Sequence, residues 1–583
     1  MKQSLYSRNL SFSFFPLIKF SIIFIVFCIP YQSTTAQIRT IANYFKKNIT
    51  LSGQASVYGE MYGIKGADRR RPSSTQRISV TPLLKFSEFF SVSVNIMLST
   101  EESYARQNMN IMGLHPVWRW GRGHVGDYSE RFSQYTFNGV NVTGAEVDLY
   151  PGHWRFTVGG GQTRRAVRGN IINESFDQYM FASRIGYGDM KKSFFHLIAM
   201  KAKDDPASLS KPEDWDYDQV IPDTMGTELD TIWVEPPYNP YSVTPEENFV
   251  AGFVSQVNVL KNHLILRVEG SGSAYTKDLH AEKVTLDSLT IPDWLQKPLG
   301  TIFTPRINSN VDYAMQTNVE LNLKNIKTEI GYEYIGPGYV SLGTPSTVND
   351  RQKVMINSSL RIKNQRIRFG WQRLSNNLLN QKDETNIRNQ LQALLQSHTK
   401  KWRSQFSIRY LDMLGDALVD SLGWDYNNII FSTHQAYVLG RESILRQAGL
   451  QYTYQKSNKN MPSQITKSNY HTLNLTGSIS FTEKLNMNIS SGLSFRNSGA
   501  QNSYTTQVYS IRLSHSALQN KLSSSLFSSS SMVRDTRMFR AGINSSYRLT
   551  KNNQIIFNLS YNSFHGTRDF QELRTSLRLS HIF

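Results

Sequence analysis

The sequence predicts an all-β chain that folds as one large transmembrane, antiparallel, up-and-down β-barrel of about 24 strands, within a range of roughly 22 to 26. Three observations predict this fold. Apolar and polar residues alternate in strand-length segments from about Leu51 to Phe583. The breaks between these segments are alternately short and long. After the N-terminal region, no segment is long and apolar enough to be a membrane helix.

The alternation is clearest in two segments. Over residues 90–99 the even positions are apolar and the odd positions are mostly serine and asparagine. Residues 472–481 alternate in the same way, with the apolar residues at the odd positions. Side chains of a strand point to opposite faces in turn, so each strand has an apolar and a polar face. A membrane barrel turns the apolar face to lipid, whereas a soluble multi-domain β-sandwich or β-propeller buries it. The repeat is one of hydropathy without a recurring residue motif, which favours the barrel.

The first 36 residues have the composition of an export signal. They carry three basic residues and no acidic one, and they include an apolar run over 20–30 that is too short to span a bilayer. Small residues then precede a predicted cleavage site between Ala36 and Gln37. We therefore expect a signal peptide over 1–36, a short periplasmic segment over 37–48 and the barrel over 49–583.

Charge and cysteine content limit the partners of the exported chain. The single cysteine, Cys28, lies in the signal, so the mature chain is expected to have neither disulfides nor thiolate metal sites. Removing the three basic residues of the signal from the net charge of +19 leaves +16. The expected partners are outer-membrane lipid and lipopolysaccharide, the machinery that assembles barrels, and a periplasmic or surface protein. Export argues against nucleic acid.

The breaks between strands give the strand count. Eleven are short and polar, such as Gly188-Asp189 and Lys363-Asn364, and they contain residues that tight turns require. The long connections include 101–133, 204–247, 276–311 and 412–430. Short periplasmic turns alternating with long external loops are typical of outer-membrane barrels. Eleven turns, with both chain ends periplasmic, predict twelve hairpins and thus about 24 strands.

The last strand alternates in phase and ends on an aromatic residue, Phe583, which resembles the C-terminal signal that barrels present to their assembly machinery. Together with the Thr34-Thr35-Ala36-Gln37 cleavage region and the strand-rich chain, it makes the sequence resemble outer-membrane β-barrel proteins of the Bacteroidetes type. This resemblance implies the outer membrane of a Gram-negative bacterium. It identifies a class and transfers no functional residues.

The predicted inner face is polar and rich in arginine. The arginines at inward positions are Arg366, Arg368, Arg403, Arg409, Arg512, Arg540, Arg548, Arg574 and Arg578. Rings of arginine or lysine select anions, so one interpretation is an anion-favouring lumen. The other is that the arginines brace the wall through hydrogen bonds and ion pairs. Inward acids are fewer: Glu269, Glu329 and Glu333.

The segment 204–247 has the opposite charge, with twelve acidic residues, seven prolines and Lys211 as its one basic residue. Its acids Asp214, Asp216 and Asp218 resemble half of a calcium loop, so Ca²⁺ is the one ion considered for this segment, against the alternative of a solvated acidic loop. Barrels of this size need something to close them, and no plug domain precedes the first predicted strand. We hypothesise that this acidic loop folds over or into the basic lumen.

A second predicted loop combines aromatic residues, arginines and glycines. Its residues Trp118, Arg119, Trp120, Arg122 and Tyr128 are of the types that dominate binding surfaces. The functional interpretation is a ligand- or partner-binding loop, and the structural one is a self-packed loop that caps the barrel mouth.

No motif in the sequence indicates an enzyme. His124, Asp127 and Ser129 lie too close together in the chain for the usual geometry of a catalytic triad, and no histidine pair has metal-ligand spacing. We therefore expect no catalytic residues, cofactor or firm metal site. The sequence favours a porin-like channel for polar or anionic solutes or polymers, with a loop-occluded lumen. The alternative is a non-transporting barrel that serves as a structural partner in a secretion or surface assembly.

Overall fold

The computed structural model describes residues 49–583 except 87, 103–106, 168–173, 210–242, 285–299, 301, 420–421, 441, 463 and 499–502. The described residues form 26 strands and one short 3-10 helix, Leu260–Asn262. The strands are β1 (Thr50–Lys65), β2 (Ser74–Lys85), β3 (Phe90–Ser99), β4 (Ile111–Trp118), β5 (Gly121–Arg131), β6 (Asn138–Leu149), β7 (Trp154–Arg164), β8 (Asp177–Gly188), β9 (Phe194–Asp205), β10 (Glu247–Val259), β11 (Leu264–Thr276), β12 (Ser309–Asn322), β13 (Ile326–Ile335), β14 (Arg351–Ile362), β15 (Gln365–Ser375), β16 (Glu384–His398), β17 (Trp402–Ala417), β18 (Trp424–Val438), β19 (Leu445–Met461), β20 (Gln464–Thr482), β21 (Leu485–Asn497), β22 (Tyr504–Ala517), β23 (Leu522–Val533), β24 (Thr536–Arg548), β25 (Asn553–His565) and β26 (Phe570–Ile582).

Each strand pairs antiparallel with its neighbours in sequence, and β1 pairs with β26 from Gln54↔Ile582 to Lys65↔Gln571. Backbone bonds between Gly53 and Phe583 extend this seam. The sheet is therefore a closed up-and-down barrel, as predicted. Its 26 strands exceed the expected number of about 24 and fall at the upper limit of the predicted range.

The two ends of the barrel differ in their connections. One end, which we call the turn end, carries the start of β1, the end of β26 and all the short connections predicted from the sequence. The opposite end, the loop end, carries the longer connections, including 206–246 and 277–308. The predicted long segments 204–247 and 276–311 match these two connections to within three residues at each end.

The two additional strands come from the segment 101–133, which was wrongly predicted to be one long loop. It contains the hairpin β4–β5, whose tight turn is Arg119-Trp120. This turn lacks the glycine, asparagine or proline that marks most of the others, and Pro116 and four glycines make the flanking strands resemble a loop. The predicted loop 412–430 is also wrong, because β17 and β18 continue into it and leave only 418–423 between them.

The outer surface of the barrel is apolar. Alternate residues of most strands expose large apolar side chains, for example Leu475 on β20 and Ile511 on β22. Near the turn end, outward aromatic residues cluster, with Trp154 against Tyr187 and Trp402 against Tyr437 at ring distances of 5.1 and 5.7 Å. Near the loop end, Tyr313 stacks on Tyr334 at 5.0 Å. The wall therefore has an apolar band between two sets of aromatic residues.

No helix in the described part of the chain is long and apolar enough to cross a membrane.

The main hydrophobic core lies inside the barrel and on one side of it. The inward faces of β6, β8, β9 and β10 contribute buried apolar residues, among them Met180, Met200 and Val250. The connection 132–137, which we call the first interior loop, packs Phe132 and Phe137 against them. The connection 336–350, the second interior loop, adds Leu342. Two loop-end connections thus turn inward and fill part of the lumen.

Candidate functional site in the barrel interior

The first interior loop crosses from β5 to the inner faces of β11, β12 and β13. Its Tyr135 is fully buried, and its hydroxyl donates to Glu333 at 3.2 Å. The backbone N–H groups of Gln134 and Tyr135 donate to the carboxylate of Glu269 on β11. Thr136 contacts Ser271, also on β11, at 3.2 Å. The barrel wall therefore satisfies the polar groups that this loop buries.

The second interior loop lies directly against the first. The Tyr339 hydroxyl donates to the Tyr135 carbonyl at 2.8 Å, and Ser341 donates to the Thr136 carbonyl at 2.9 Å. A Cβ at Gly343 would lie 2.2 Å from that same Thr136 carbonyl oxygen, so this close approach requires glycine. The two loops form one unit that is bonded both to itself and to the wall.

Carboxylates pair with the arginines on the filled side of the lumen. Asp148 on β6 is fully buried and accepts hydrogen bonds from Arg155 at 2.6 Å and from Arg122 at 3.1 Å. Arg184 approaches the same carboxylate at 3.4 Å. On β13, Glu333 pairs with Arg351 and Lys353, both at 2.9 Å. The charges of this side are largely neutralised within the wall.

The opposite side of the lumen differs. All nine predicted arginines lie on the strand face that alternates with the exposed apolar residues, so their inward placement agrees with the sequence. Among the described residues, carboxylates form an ion pair with just one of the nine, Arg574, which bonds Glu60 at 2.6 Å. Bracing by ion pairs therefore does not account for the others, and this side presents a strip of positive charge.

Four of these arginines line one cavity of about 600 Å³ formed by β22–β26 and β1. Arg512 and Arg540 both lie over the Phe527 ring, each 5.5 Å from its centre, and Arg578 lies over the Tyr58 ring at 5.5 Å. Cation–π contacts hold guanidinium groups in place while leaving their N–H donors available. Apart from Ile511, the remaining lining is polar and uncharged: Ser510, Ser528, Ser529, Asn544, Asn558, Ser560 and Ser576.

The second interior loop ends at a carboxylate clamp. Asp350 accepts from the backbone N–H groups of Asn377 at 3.0 Å and Leu378 at 2.8 Å and pairs with Lys382. Burial opposes ionisation, but the Lys382 ion pair and the two N–H donors prevail and hold the pKa of Asp350 below its ordinary value.

A pH-dependent release of this clamp is expected. Because the folded-state pKa is lowered, the stabilisation is complete above the ordinary carboxyl pKa of about 4 and is lost as pH falls through the lower, folded-state value. The protection of the 376–383 amides against hydrogen exchange, taken relative to the intrinsic rate at each pH, should therefore fall in acid in the wild type. In Asp350→Asn the protection of these amides should already be low at neutral pH, and acid should change it little. Equal exchange in both proteins at neutral pH would contradict the clamp.

The predicted ligand loop does not have the position expected for it. Trp118 ends β4 and Arg119-Trp120 forms a tight turn at the turn end, where Trp118 and Trp120 contact each other edge to face at 5.7 Å. Arg122 and Tyr128 lie on β5 and face the interior, with Tyr128 in the hydrophobic core. The five residues therefore belong to a strand hairpin, and the prediction of one external binding loop is wrong in its geometry.

Several other predicted features lie wholly or partly outside the described residues. The signal peptide over 1–36, the segment 37–48 and the acids Asp214, Asp216 and Asp218 are among them. Of the acidic segment 204–247, the described ends are paired to the wall, with Asp204 bonded to Arg164 at 3.2 Å and Glu247 to Lys201 at 3.1 Å. The hypothesis that its centre enters the lumen remains a prediction.

The sequence-based search for functional residues missed the two interior loops. Tyr135 and Tyr339 lie in irregular segments, where hydropathy has no period that would indicate burial. The inward position of Asp148 could be predicted from the sequence, because Asp148 alternates with the apolar residues Val147 and Leu149. Its three arginine partners are on other strands, and alternation alone does not give their register.

No family model matches the chain. No curated protein matches its sequence either. Among solved structures, the chain is similar to the siderophore receptor PirA from Pseudomonas aeruginosa, with a TM-score of 0.39, 10% identity, and coverage of 91% of this chain and 80% of that one. For OccAB2 of Acinetobacter baumannii the TM-score is 0.29 at 9% identity, with coverage of 58% of this chain and 92% of that one. For the P pilus usher (PapC) translocation pore the TM-score is 0.24 at 7% identity, with coverage of 91% of this chain and 99% of that one. Similarities this low do not support a functional argument, so the function proposed below rests on the chain's own residues.

Proposed function

We propose that this chain is an integral outer-membrane β-barrel that conducts polar, anionic solutes along the arginine-lined side of its lumen, past the two interior loops. The observation that carries the proposal is the strip of inward arginines without carboxylate partners among the described residues, and its clearest part is the cavity lined by Arg512, Arg540 and Arg578. Unpaired guanidinium groups in a polar wall attract anions and repel cations.

The outer surface supports the membrane part of the proposal. A soluble barrel of this kind would expose an apolar band far larger than the patches that soluble proteins tolerate. Two aromatic sets border that band, as the interface residues of membrane barrels do. With the predicted export signal, this favours the outer membrane of a Gram-negative bacterium and contacts with its lipid, its lipopolysaccharide and its barrel assembly machinery. The proposal includes no catalytic role.

Ion selectivity tests the proposal directly. In planar bilayers under a KCl gradient, the wild type should show a reversal potential of the sign that indicates anion preference. Changing Arg512, Arg540 and Arg578 together to glutamine should shift this potential towards the cation side and weaken conduction of large organic anions. The matched control replaces Lys261, Lys363 and Lys484, at the tips of the turns, with glutamine and removes the same charge outside the lumen. Equal shifts in both variants, or cation preference of the wild type, would refute the proposal.

A second candidate function is a closed barrel that serves as a structural partner in a surface or secretion assembly. The observation that favours it is the filled side of the lumen, where Tyr135 and Tyr339 are both almost completely buried. This candidate predicts no measurable conductance and a stable protein partner that co-purifies from the outer membrane. Steady channels from the purified chain alone would exclude it.

A further inference from the structure

A histidine and two glutamates meet on the inner wall of β5 and β6. His124 pairs across the sheet with Glu146, so both side chains point to the same face. Glu130 reaches the same point, and His124 Nε2 lies 3.3 Å from its Oε1. One nitrogen and two carboxylate oxygens of this group lie within 4.8 Å of one another. These atoms are of the types that bind divalent transition metals.

The path of β5 brings Glu130 to this point. Six residues of a straight strand span about 20 Å, so Glu130 could not otherwise approach His124. Gly126 has a φ of +92°, which bends the strand, and a Cβ there would lie 2.1 Å from the Met112 carbonyl oxygen. The pairing with β6 also shifts between Ser129 and Arg131. A backbone irregularity in β5 thus assembles the group.

Two ligand atoms in the group lack hydrogen-bond partners among the described residues. Glu146 is 2% exposed, and its Oε1 accepts no hydrogen bond. The Nε2 of His124 is buried and makes no hydrogen bond of good geometry. A buried carboxylate oxygen without a donor is costly, and a bound cation removes that cost. The unpartnered Glu146 Oε1 and His124 Nε2 therefore indicate a place where a cation binds.

The neighbours Arg122 and His115 contact Glu130 and His124 through atoms other than the proposed metal ligands. Arg122 donates to Oε2 of Glu130 at 2.8 Å, so Oε1 remains available towards His124. The Nδ1 atoms of His124 and His115 lie 2.7 Å apart, so one carries a proton and the other accepts it. If His124 is the donor, its Nε2 is unprotonated and can bind a metal ion. This is the orienting role that second-sphere groups usually have at metal-binding histidines.

We propose that His124, Glu130 and Glu146 form a site for a divalent transition-metal ion of the Zn²⁺ class, with His115 orienting His124. Two atoms 3.3 Å apart and about 2.1 Å from one ion subtend roughly 105° at it, close to the tetrahedral angle. A cavity of about 410 Å³, lined by His115, His124 and Tyr128, adjoins the histidines and leaves room for a water ligand. The site is independent of the anion conduction proposed above.

Metal titration of the full chain in detergent, after chelator treatment, tests the site. Isothermal calorimetry with Zn²⁺ should give one ion per chain, and Co²⁺ should give a visible absorption band of a low-symmetry site. Glu146→Gln, which keeps the size of the side chain, should abolish this binding. His115→Gln should weaken it about 10- to 100-fold, as expected for an orienting residue.

The control is His565→Gln, because His565, the exposed last residue of β25, pairs with Asp569 and lies outside the proposed group. It should bind Zn²⁺ like the wild type. Far-ultraviolet circular dichroism and heat-modifiable gel mobility establish that each variant is folded before it is titrated. Absence of Zn²⁺ binding by the folded wild type, or equal binding by wild type and folded Glu146→Gln, would overturn the proposal.

Discussion

Replacing residues 336–350 with an Asn-Gly turn is expected to raise single-channel conductance several-fold. Ile335 and Arg351 already pair across the hairpin, so a two-residue turn can join β13 to β14 without disturbing their register. The replacement removes Tyr339, Ser341 and Gly343 from the lumen and frees the first interior loop from its main partner. A wider path should carry more ions.

The control replaces residues 565–569, which are the last residue of β25 and its connection to β26, with the same turn. Phe564 and Phe570 are paired there in the same way, and the connection is exposed. The conductance of this control variant should equal that of the wild type. A milder variant, Gly343→Val, should push the two loops apart and give an intermediate increase. Unchanged conductance in both loop variants would mean that the interior loops do not limit the channel.

Asp148→Ala is expected to destabilise the barrel by about 3–5 kcal/mol, the usual cost of removing one partner from a buried ion pair. Asp148 is fully buried and is the shared acceptor of Arg122, Arg155 and Thr157. Without it, guanidinium groups remain in the wall with too few acceptors, and Arg184 among them is itself 3% exposed.

Urea unfolding in detergent micelles, followed by circular dichroism, measures this loss. Asp535→Ala provides the control, because Asp535 is exposed in the tight turn between β23 and β24, and its replacement should change stability by less than about 0.5 kcal/mol. The loss of stability in Asp148→Asn should lie between those of Asp148→Ala and Asp535→Ala, since asparagine keeps an acceptor oxygen but loses the charge. Equal midpoints for Asp148→Ala and Asp535→Ala would contradict the structural role of this carboxylate.

The wall of this barrel was largely predictable from the sequence. The period of two in hydropathy determines which face is apolar, and turn residues such as Asn364 mark most of the hairpins. The prediction failed where local chemistry departs from the rule. Pro116 and the glycines around Gly126 weaken the strand signal of β4 and β5, and the tertiary pairing of the barrel overrides that weakness.

The interior was less predictable. Alternation identified the inward arginines, including Arg512 and Arg540, but whether an arginine is paired depends on residues of other strands. Glu60 meets Arg574 because the first and last strands join, and no local pattern carries that information. The filling of the lumen by Tyr135 and Tyr339 depends on long-range packing of irregular segments. These are the features on which the proposed function rests.

The seam between β1 and β26 has a consequence for biogenesis. The two strands that close the barrel are the first and last of the described wall. A folding intermediate that lacks either one therefore keeps two unpaired strand edges. Unpaired edges recruit strands from other molecules. Of all the strand pairs, this one also joins the segments that are farthest apart in the chain. Formation of this pair therefore removes both free edges at once, and we expect a chaperone that shields them beforehand to raise the yield of closed barrels.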